Sequence, residues 1–380
     1  MAAQAVGPAR PRVLQVTARY LPFMGGVETH VHEISHRLRS RGFDVTILTT
    51  DPGGRLPARE MVRGVPVRRM RAWPAQRDYY LAPGIVQTVA RGGWDLVHCQ
   101  GVHTLVAPLA MLAARLSRVP YVLTFHSGGH PSRLRNAVRG AQWLALRPLL
   151  RSAAQLIAVS DFERDLFSRA VGGAAQIRVI RNGCEPLATP RLAMPEAGGA
   201  RVVSVGRLER YKGHHRVIEA LPHLLQRRPD ATLLILGAGP YEAALRALAR
   251  ELGIESRVEI RAIPPEHRAE MAAELGRAAV VALLSDYEAH PIAVMEALAL
   301  GLPVLVADTS GLSELATSGQ ARAVPLECPP STVADALLDQ IERPLVPSLA
   351  ALPTWDDCVD QLAAVYRSVL GARSELLCAS

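Results

Sequence analysis

Ser285-Asp-Tyr-Glu-Ala-His-Pro-Ile-Ala-Val-Met-Glu-Ala-Leu-Ala-Leu-Gly-Leu-Pro-Val-Leu305 is the stretch that decides the fold. The apolar run before it, Ala278 to Leu284, reads as a buried strand. Pro291 to Leu300 reads as a helix, with the proline tolerated in the first turn because its N–H would be unpaired there anyway. Pro303 to Ala307 starts another strand. Glu288 therefore falls in the turn after a strand, and Glu296 about a turn and a half into the helix. Two carboxylates flanking a helix N-terminus, where anions are favoured, suit a ligand carrying both hydroxyls and phosphates. Such a ligand is a nucleotide sugar. Two Glu residues at this spacing are also common as solvated charges. Glu296, however, sits among Ala293, Val294, Met295, Ala297 and Leu298, and a Glu in apolar surroundings is rarely buried unless paired.

Outward from this stretch, short apolar runs alternate with helical patterns, the signature of a doubly wound parallel sheet. In the first half the strands read as Val13 to Thr17, Val45 to Thr49, Leu96 to Cys99, Tyr121 to Phe125 and Leu156 to Val159, with helices over Val27 to Arg41 and Leu105 to Leu116. From Cys184 to Ala200 the chain is rich in Pro, Gly and Ala and loses all periodicity, which reads as a linker. The alternation restarts at Arg201. The expected architecture is two similar α/β domains, with ligands bound beyond the C-terminal ends of the strands in the cleft between them.

The 380 residues suffice for two domains, and 49% hydrophobic with 21% charged residues describes a globular chain with a real core. The net charge of +8 comes mostly from scattered Arg, without zinc spacing or an aromatic-basic motif. No nucleic-acid partner is expected; phosphorylated small molecules or an anionic membrane face account better for the excess. The five cysteines lack metal or redox spacing and read as reduced thiols. No signal peptide or bilayer-length apolar run is present, so the expected location is the cytoplasm.

Three further segments carry chemistry. Val205-Gly206-Arg207-Leu-Glu-Arg-Tyr-Lys212-Gly213 follows a strand directly, placing two cations where a leaving diphosphate would need them; a solvated basic loop is the bland alternative. Gly25-Gly26-Val-Glu28-Thr-His30 lies between the first strand and first helix, where paired glycines let backbone approach a phosphate. His126 ends a buried strand and precedes Gly128 and Gly129. His98 and His103 stand at the neighbouring strand end. His30, His32 and His36 share a helix but lack a partner that would complete a zinc site. Gly237-Ala-Gly239 fails as a dinucleotide fingerprint because Glu242 occupies the third glycine position.

In this order and spacing the segments resemble the retaining glycosyltransferases of family 4, which share the two-domain GT-B fold; Glu288 and Glu296 are similar to their E-x7-E signature. The resemblance implies two Rossmann-like doubly wound parallel-sheet domains facing across a cleft. The acceptor domain would span 1–183, with a closing helix over 355–372 packing back on it; a linker would span 184–200 and the donor domain 201–354. It further implies that Glu288 meets the donor sugar and Glu296 the ribose, while Arg207, Lys212, Gly25 and Gly26 serve the diphosphate. His126 would lie beside the transferred sugar, His290 and Ile292 on the donor side, and Glu28, His30, His98 and His103 toward the acceptor. The family is thought to use front-face attack, the departing phosphate taking the acceptor proton. Where relatives often carry Phe-Gly, this chain has His290-Pro291, and Pro291 has no N–H to donate to a sugar.

No Asp-x-Asp occurs; Asp286-Tyr-Glu288 is the nearest match, and Arg207 and Lys212 stand in for a metal. No metal and no cofactor is expected, the nucleoside diphosphate sugar (UDP- or GDP-hexose) being a co-substrate. The acceptor hydroxyl is open between a small natural product, a glycolipid and a polysaccharide. Ser132 to Arg151, with Arg133, Arg135, Arg139, Arg147 and Arg151, offers either peripheral contact with an anionic membrane or a solvated basic helix. The rival readings are a non-catalytic nucleotide-sugar-binding protein and an NAD-dependent oxidoreductase, which needs a complete glycine fingerprint that neither half shows.

Overall fold

The computed structural model describes residues 10–74, 81–127, 133–172, 176–185, 199–264 and 267–378. The first sheet is built from β1 (Arg12–Thr17), β2 (Asp44–Asp51), β3 (Arg59–Val62), β4 (Val65–Arg71), β5 (Leu96–Gln100), β6 (Tyr121–Thr124), β7 (Gln155–Ala158) and β8 (Ile177–Val179). Their order is β3-β4-β2-β1-β5-β6-β7-β8, parallel throughout except for β3 against β4. Helices α1 (Gly26–Ser40), α2 (Gly84–Arg91), α3 (Val106–Leu116), α4 (Arg133–Arg151) and α5 (Asp161–Val171) cover its faces. β1, β2, β5 and β6 are buried along nearly their whole length, as strands covered on both faces are.

The second sheet is parallel and six-stranded. It comprises β9 (Arg201–Val205), β10 (Thr232–Leu236), β11 (Val258–Arg261), β12 (Val280–Leu283), β13 (Val304–Ala307) and β14 (Arg322–Val324), in the order β11-β10-β9-β12-β13-β14. One face carries α6 (His214–Leu225), α7 (Glu242–Glu251) and α11 (Pro330–Glu342); the other carries α8 (Arg268–Gly276), α9 (Ile292–Ala299) and α10 (Ser310–Thr317).

In both sheets the strand order reverses around the first strand of the half, β1 between β2 and β5, and β9 between β10 and β12. A crevice opens at such a switch point because the helices on either side of it pack on opposite faces. The loop after β1 leads to Gly25-Gly26, and the loop after β9 carries Gly206 to Gly213. The two glycine-bearing motifs thus leave the sheets where ligands of this fold class bind.

Helix α12 (Trp355–Cys378) follows the second sheet in sequence but packs on the first. Trp355, Val359, Leu362 and Tyr366 join Val31, Ile34 and Leu38 of α1 in one buried cluster. At its start, Arg41 reaches Asp356 at 2.5 Å and Asp360 at 2.9 Å.

Several details depart from the sequence expectations. Pro291 stands before α9 in extended conformation, as N-cap, and the helix begins at Ile292. Lys212 ends a short 3-10 turn, and α6 starts two residues later. The segment between Gly53 and Gly93, to which no element was assigned from the sequence, supplies β3, β4 and α2. In the basic stretch, Arg147 and Arg151 donate through Nε to the carbonyls of Ala170 and Val171 at 2.9 and 3.2 Å, closing the end of α5. These two guanidiniums are structural caps, not part of a free basic face. Trp143 packs edge-on against Phe167, so it belongs to the core. The side chains of Arg133, Arg135 and Arg139, and residues Tyr79 and Tyr80, lie outside the described residues. Among those described, no helix is long and apolar enough to cross a membrane.

Candidate active site

Beyond β12, Glu288 is half-enclosed and held on every side. Its Oε1 receives Lys212 Nζ at 2.5 Å and Ser285 Oγ at 3.0 Å. Its own N–H donates to Ser310 Oγ at 2.8 Å, and its carbonyl accepts the N–H of Gly311 at 2.9 Å. Gly311 is required here, because a Cβ would stand 1.8 Å from the carbonyl oxygen of Ala289. Lys212 is aimed by the left-handed turn at Gly213 (φ 72°), where a Cβ would meet the Leu284 carbonyl oxygen at 1.8 Å. Two residues before Glu288, Asp286 points the other way and pairs with Arg216 at 2.8 Å. The loop is thereby gripped from both sides by cations four residues apart, Lys212 and Arg216.

On α9, Glu296 pairs with Arg268 from α8. Burial pushes the Glu296 carboxyl above the usual carboxylate range, and the Arg268 guanidinium opposes that rise. Arg207 donates to Tyr211 Oη at 2.7 Å and pairs with Glu209 at 2.8 Å. The rings of Tyr211 and Tyr287 stack at 4.8 Å and 7°, bracing the Lys212 turn against the Glu288 loop. Across the cleft, burial raises the Glu28 carboxyl, and Arg207 with Arg19 pulls it back. Arg207 and Glu28 belong to different domains, and their charges lie close enough to act on one another. Gly25 caps α1 in extended conformation, and a Cβ on Gly26 would point into open space.

The first-domain wall is built from neutral groups. His126 takes a left-handed backbone (φ 56°), and its Nε2 meets Gln100 Oε1 at 2.8 Å. Gln100 donates to Gln15 at 2.9 Å, and Gln15 donates to Tyr366 Oη of α12 at 2.8 Å. Burial depresses the His126 imidazole well below its ordinary range, helped by His30 and His98. His103 is exposed and lies 3.3 Å from the His126 carbonyl oxygen. His98 is fully buried, with its ring nitrogens on Tyr366 Oη at 2.5 Å and Thr124 Oγ1 at 2.8 Å. It is thereby enclosed in the sheet, with no nitrogen left for an acceptor.

His30 is also buried. It touches His126 edge-on at 4.6 Å between ring centres and meets Asn182 Oδ1 at 2.9 Å through Nδ1. Asn182 Nδ2 in turn donates to the His290 carbonyl at 2.9 Å, joining the two domains. His30 Nε2 and His290 Nδ1 are buried without a hydrogen-bond partner. Burial lowers the two imidazoles to about 4 and about 3, so both are neutral. Ile292 turns its side chain into the cluster of Val31 and Trp355, away from the carboxylates.

Lys212 with Glu288, and His126 with His30 and His103, are thus brought into contact, whereas His98 and Ile292 are absorbed into packing. Sequence reading missed Arg268, Gln100, Asn182 and the Tyr211–Tyr287 stack. Only Tyr287, adjacent to Glu288, carried a local signal. Among the described residues no group of three His, Cys, Asp or Glu side chains is placed to hold a metal ion. A cavity of about 230 Å³ lies on the α6 and α11 face, where Arg210 and Arg216 are balanced by Glu219 and Glu327.

Two parallel-sheet Rossmann-like domains, with paired carboxylates and cations at the switch point of the second, define a glycosyltransferase of the GT-B class. The chain belongs to the family of the group 1 glycosyltransferases: residues 24–186 match the model described as Glycosyltransferase Family 4, and residues 195–346 that of Glycosyl transferases group 1. It is 31% identical to a glycogen synthase of Mycobacterium tuberculosis, over 85% of this chain and 83% of the relative. It is 26% identical to a GDP-mannose:cellobiosyl-diphosphopolyprenol alpha-mannosyltransferase of Komagataeibacter xylinus, over 95% and 94% of the two chains. Among solved structures, sucrose-phosphate synthase from Thermosynechococcus elongatus superposes with a TM-score of 0.76 at 22% identity, over 96% of this chain and all (100%) of that one. HepE of Anabaena, in complex with UDP and glucose, gives 0.70 at 21% identity, over 97% and 100%.

Proposed function

We propose that this glycosyltransferase is retaining and metal-independent, and moves a hexose from a UDP- or GDP-sugar to an acceptor hydroxyl of a small natural product, glycolipid or polysaccharide. The observation carrying this reading is the pair of ion pairs around α9, Lys212–Glu288 and Arg268–Glu296. The diphosphate of the donor would draw Lys212 and Arg207, neutralising the charge that develops as the glycosidic bond to phosphate breaks. Glu288, released from Lys212, would accept hydrogen bonds from the sugar hydroxyls, and Glu296 those of the ribose. The neutral His126 would meet a hydroxyl of the transferred sugar as a hydrogen-bond partner, not as a cation. With no carboxylate of the donor motif assigned as a nucleophile, the departing phosphate takes the acceptor proton on the face from which it leaves, and the anomeric configuration is kept. Either nucleotide is compatible with the relatives, one named for GDP-mannose and one bound to UDP. The site of action is the cytoplasm, and any membrane contact is peripheral.

The test is thermal stabilisation by UDP, GDP, ADP, NAD and their sugar conjugates in EDTA. A nucleotide at a hundredfold its dissociation constant adds about 2.7 kcal/mol. Stabilisation by one nucleoside diphosphate, followed by an NMR readout of a product with the donor's anomeric configuration, is the expected outcome. A response to NAD alone, an inverted product, or a strict metal requirement overturns it.

A further inference from the structure

Three hydrogen-bonded steps run from the donor carboxylate to the His126 loop without using either ligand. The start of α10 holds both main-chain groups of Glu288, through Ser310 Oγ on its N–H at 2.8 Å and the Gly311 N–H on its carbonyl at 2.9 Å. One turn further along α10, Glu314 Oε1 crosses to the first domain and accepts the N–H of Phe162 at 2.6 Å. Phe162 lies in the first turn of α5, where main-chain N–H groups have no partner inside the helix. The next residue, Glu163, is fully buried. Its carboxylate accepts the N–H of Val159 at 2.7 Å and that of Ser127, the residue after His126.

The first turn of α5 is therefore satisfied from two sides. Ser160 Oγ takes the Glu163 N–H at 3.1 Å from within the first domain, and Glu314 takes the Phe162 N–H from the second. A hydrogen bond between a carboxylate and an N–H at a helix start is charge-assisted and aligned with the helix dipole. It also has a fixed reach, because main-chain N–H groups cannot swing to follow a retreating partner. Arg181 approaches the other oxygen of Glu314 at 3.4 Å, but both side chains are partly exposed, so this ion pair contributes little.

We propose that Glu314 is a positioning residue for transfer: by fixing α10 to the first turn of α5, it sets the Glu288 loop and the His126 loop in one register across the cleft. The proposal rests on the glycosyltransferase reading, since it assigns these two loops to opposite sides of the transferred sugar. Glu314 touches neither ligand; its effect passes through Gly311 and Ser310 on one side and Glu163 on the other.

Reach and charge make different demands on the side chain, which supplies the test. Glu314→Gln keeps the length and an acceptor oxygen but loses the charge. Glu314→Asp keeps the charge but withdraws the oxygen by one methylene, and Glu314→Ala removes both. The expected order of kcat is wild type, then Glu314→Gln within about threefold, then Glu314→Asp and Glu314→Ala lower by about tenfold. Nucleoside diphosphate affinity, measured by calorimetry, should stay within about twofold in all three, because none of the donor contacts is removed. If Glu314→Ala does not fold, the order of Gln and Asp still decides. Glu314→Asp outperforming Glu314→Gln, wild-type kcat in every variant, or loss of nucleotide affinity in step with kcat would overturn the proposal. Failure of the wild-type protein to bind or turn over any nucleotide sugar would instead overturn the functional reading beneath it.

Discussion

In the second domain Glu288 and Glu296 are each held by a cation, Lys212 and Arg268, whereas in the first domain His126, Gln100, Gln15 and Tyr366 are held by one another as neutral groups. The difference decides what each wall of the cleft can do when a ligand arrives. A cation paired with a carboxylate at a partly solvated site can exchange that partner for a diphosphate, and the carboxylate can turn to hydroxyls. A chain of neutral hydrogen bonds in a dry interior has no such freedom, because breaking one link leaves a buried polar atom without a partner, at about 1–3 kcal/mol. The wall of the second domain is thus set up for partner exchange, and the wall of the first domain for fixed geometry.

The sharpest way to break this comparison is at Lys212. Lys212→Ala should lower kcat about a hundredfold or more, since it removes a cation from the leaving diphosphate; a near-wild-type rate in single-turnover kinetics would mean the Lys212–Glu288 pair is merely structural. Next come the two carboxylates. Glu296→Ala should weaken nucleotide binding about tenfold while changing the rate less, and Glu288→Gln should do the reverse. Calorimetry beside steady-state kinetics separates the two, and equal effects on both would merge their roles.

The neutral wall predicts a loss of stability that can be read without substrate. Gln100→Leu leaves His126 Nε2 and the Gln15 carbonyl oxygen unsatisfied, so urea unfolding should show a loss of about 2 kcal/mol with an unchanged m-value. A wild-type midpoint would show that these buried polar atoms find other partners once Gln100 is gone.

A further prediction concerns the pH dependence of stability. Burial raises the Glu163 carboxyl to about 8, while the unfolded chain ionises near the ordinary carboxylate value of about 4.5. The folded state therefore binds the extra proton, and stability declines as pH rises from about 4.5 through about 8. His30 and His290, lowered to about 4 and about 3, act with the opposite sign: the unfolded chain takes up protons first, so stability falls as pH drops below about 6.5. Melting temperatures of Glu163→Gln should lose the alkaline decline and keep the acid one. Parallel curves for variant and wild type would place the carboxylate in its charged form throughout.

How much of this was legible in the sequence follows the range of the interactions. The sheets were legible because parallel strands buried on both faces write short runs of apolar and β-branched residues, as Val45 to Thr49 and Val280 to Leu284 do. The positions of Glu288, Arg207 and His126 followed from strand ends alone. Arg268 was not legible, since nothing near it in sequence separates an arginine that holds a buried carboxylate from one that faces water. The same holds for Arg147 and Arg151, whose guanidiniums look like a basic helix face until the end of α5 is seen to rest on them. Glu163 closes a Ser-x-x-Glu capping pattern with Ser160, but that pattern says nothing of the Ser127 N–H it holds; Glu314 carries no motif, and its importance lies in the main-chain N–H the fold brings to it. His98 failed in the other direction: its place at a strand end looked like that of His126, but one stands at the edge of the crevice and the other inside the sheet.

Helix α12 has a consequence for how the protein is made. Trp355, Val359, Leu362 and Tyr366 complete the apolar cluster around α1, and Tyr366 anchors both Gln15 and His98. A ribosome delivers the last strand of the first sheet, β8, well before it delivers these residues. At about 5–20 residues per second, the outer surface of α1 waits roughly ten to forty seconds for its cover. During that interval the nascent first half presents an unsealed oily flank to the cell. The sooner the second sheet forms and brings α12 back, the shorter that exposure lasts.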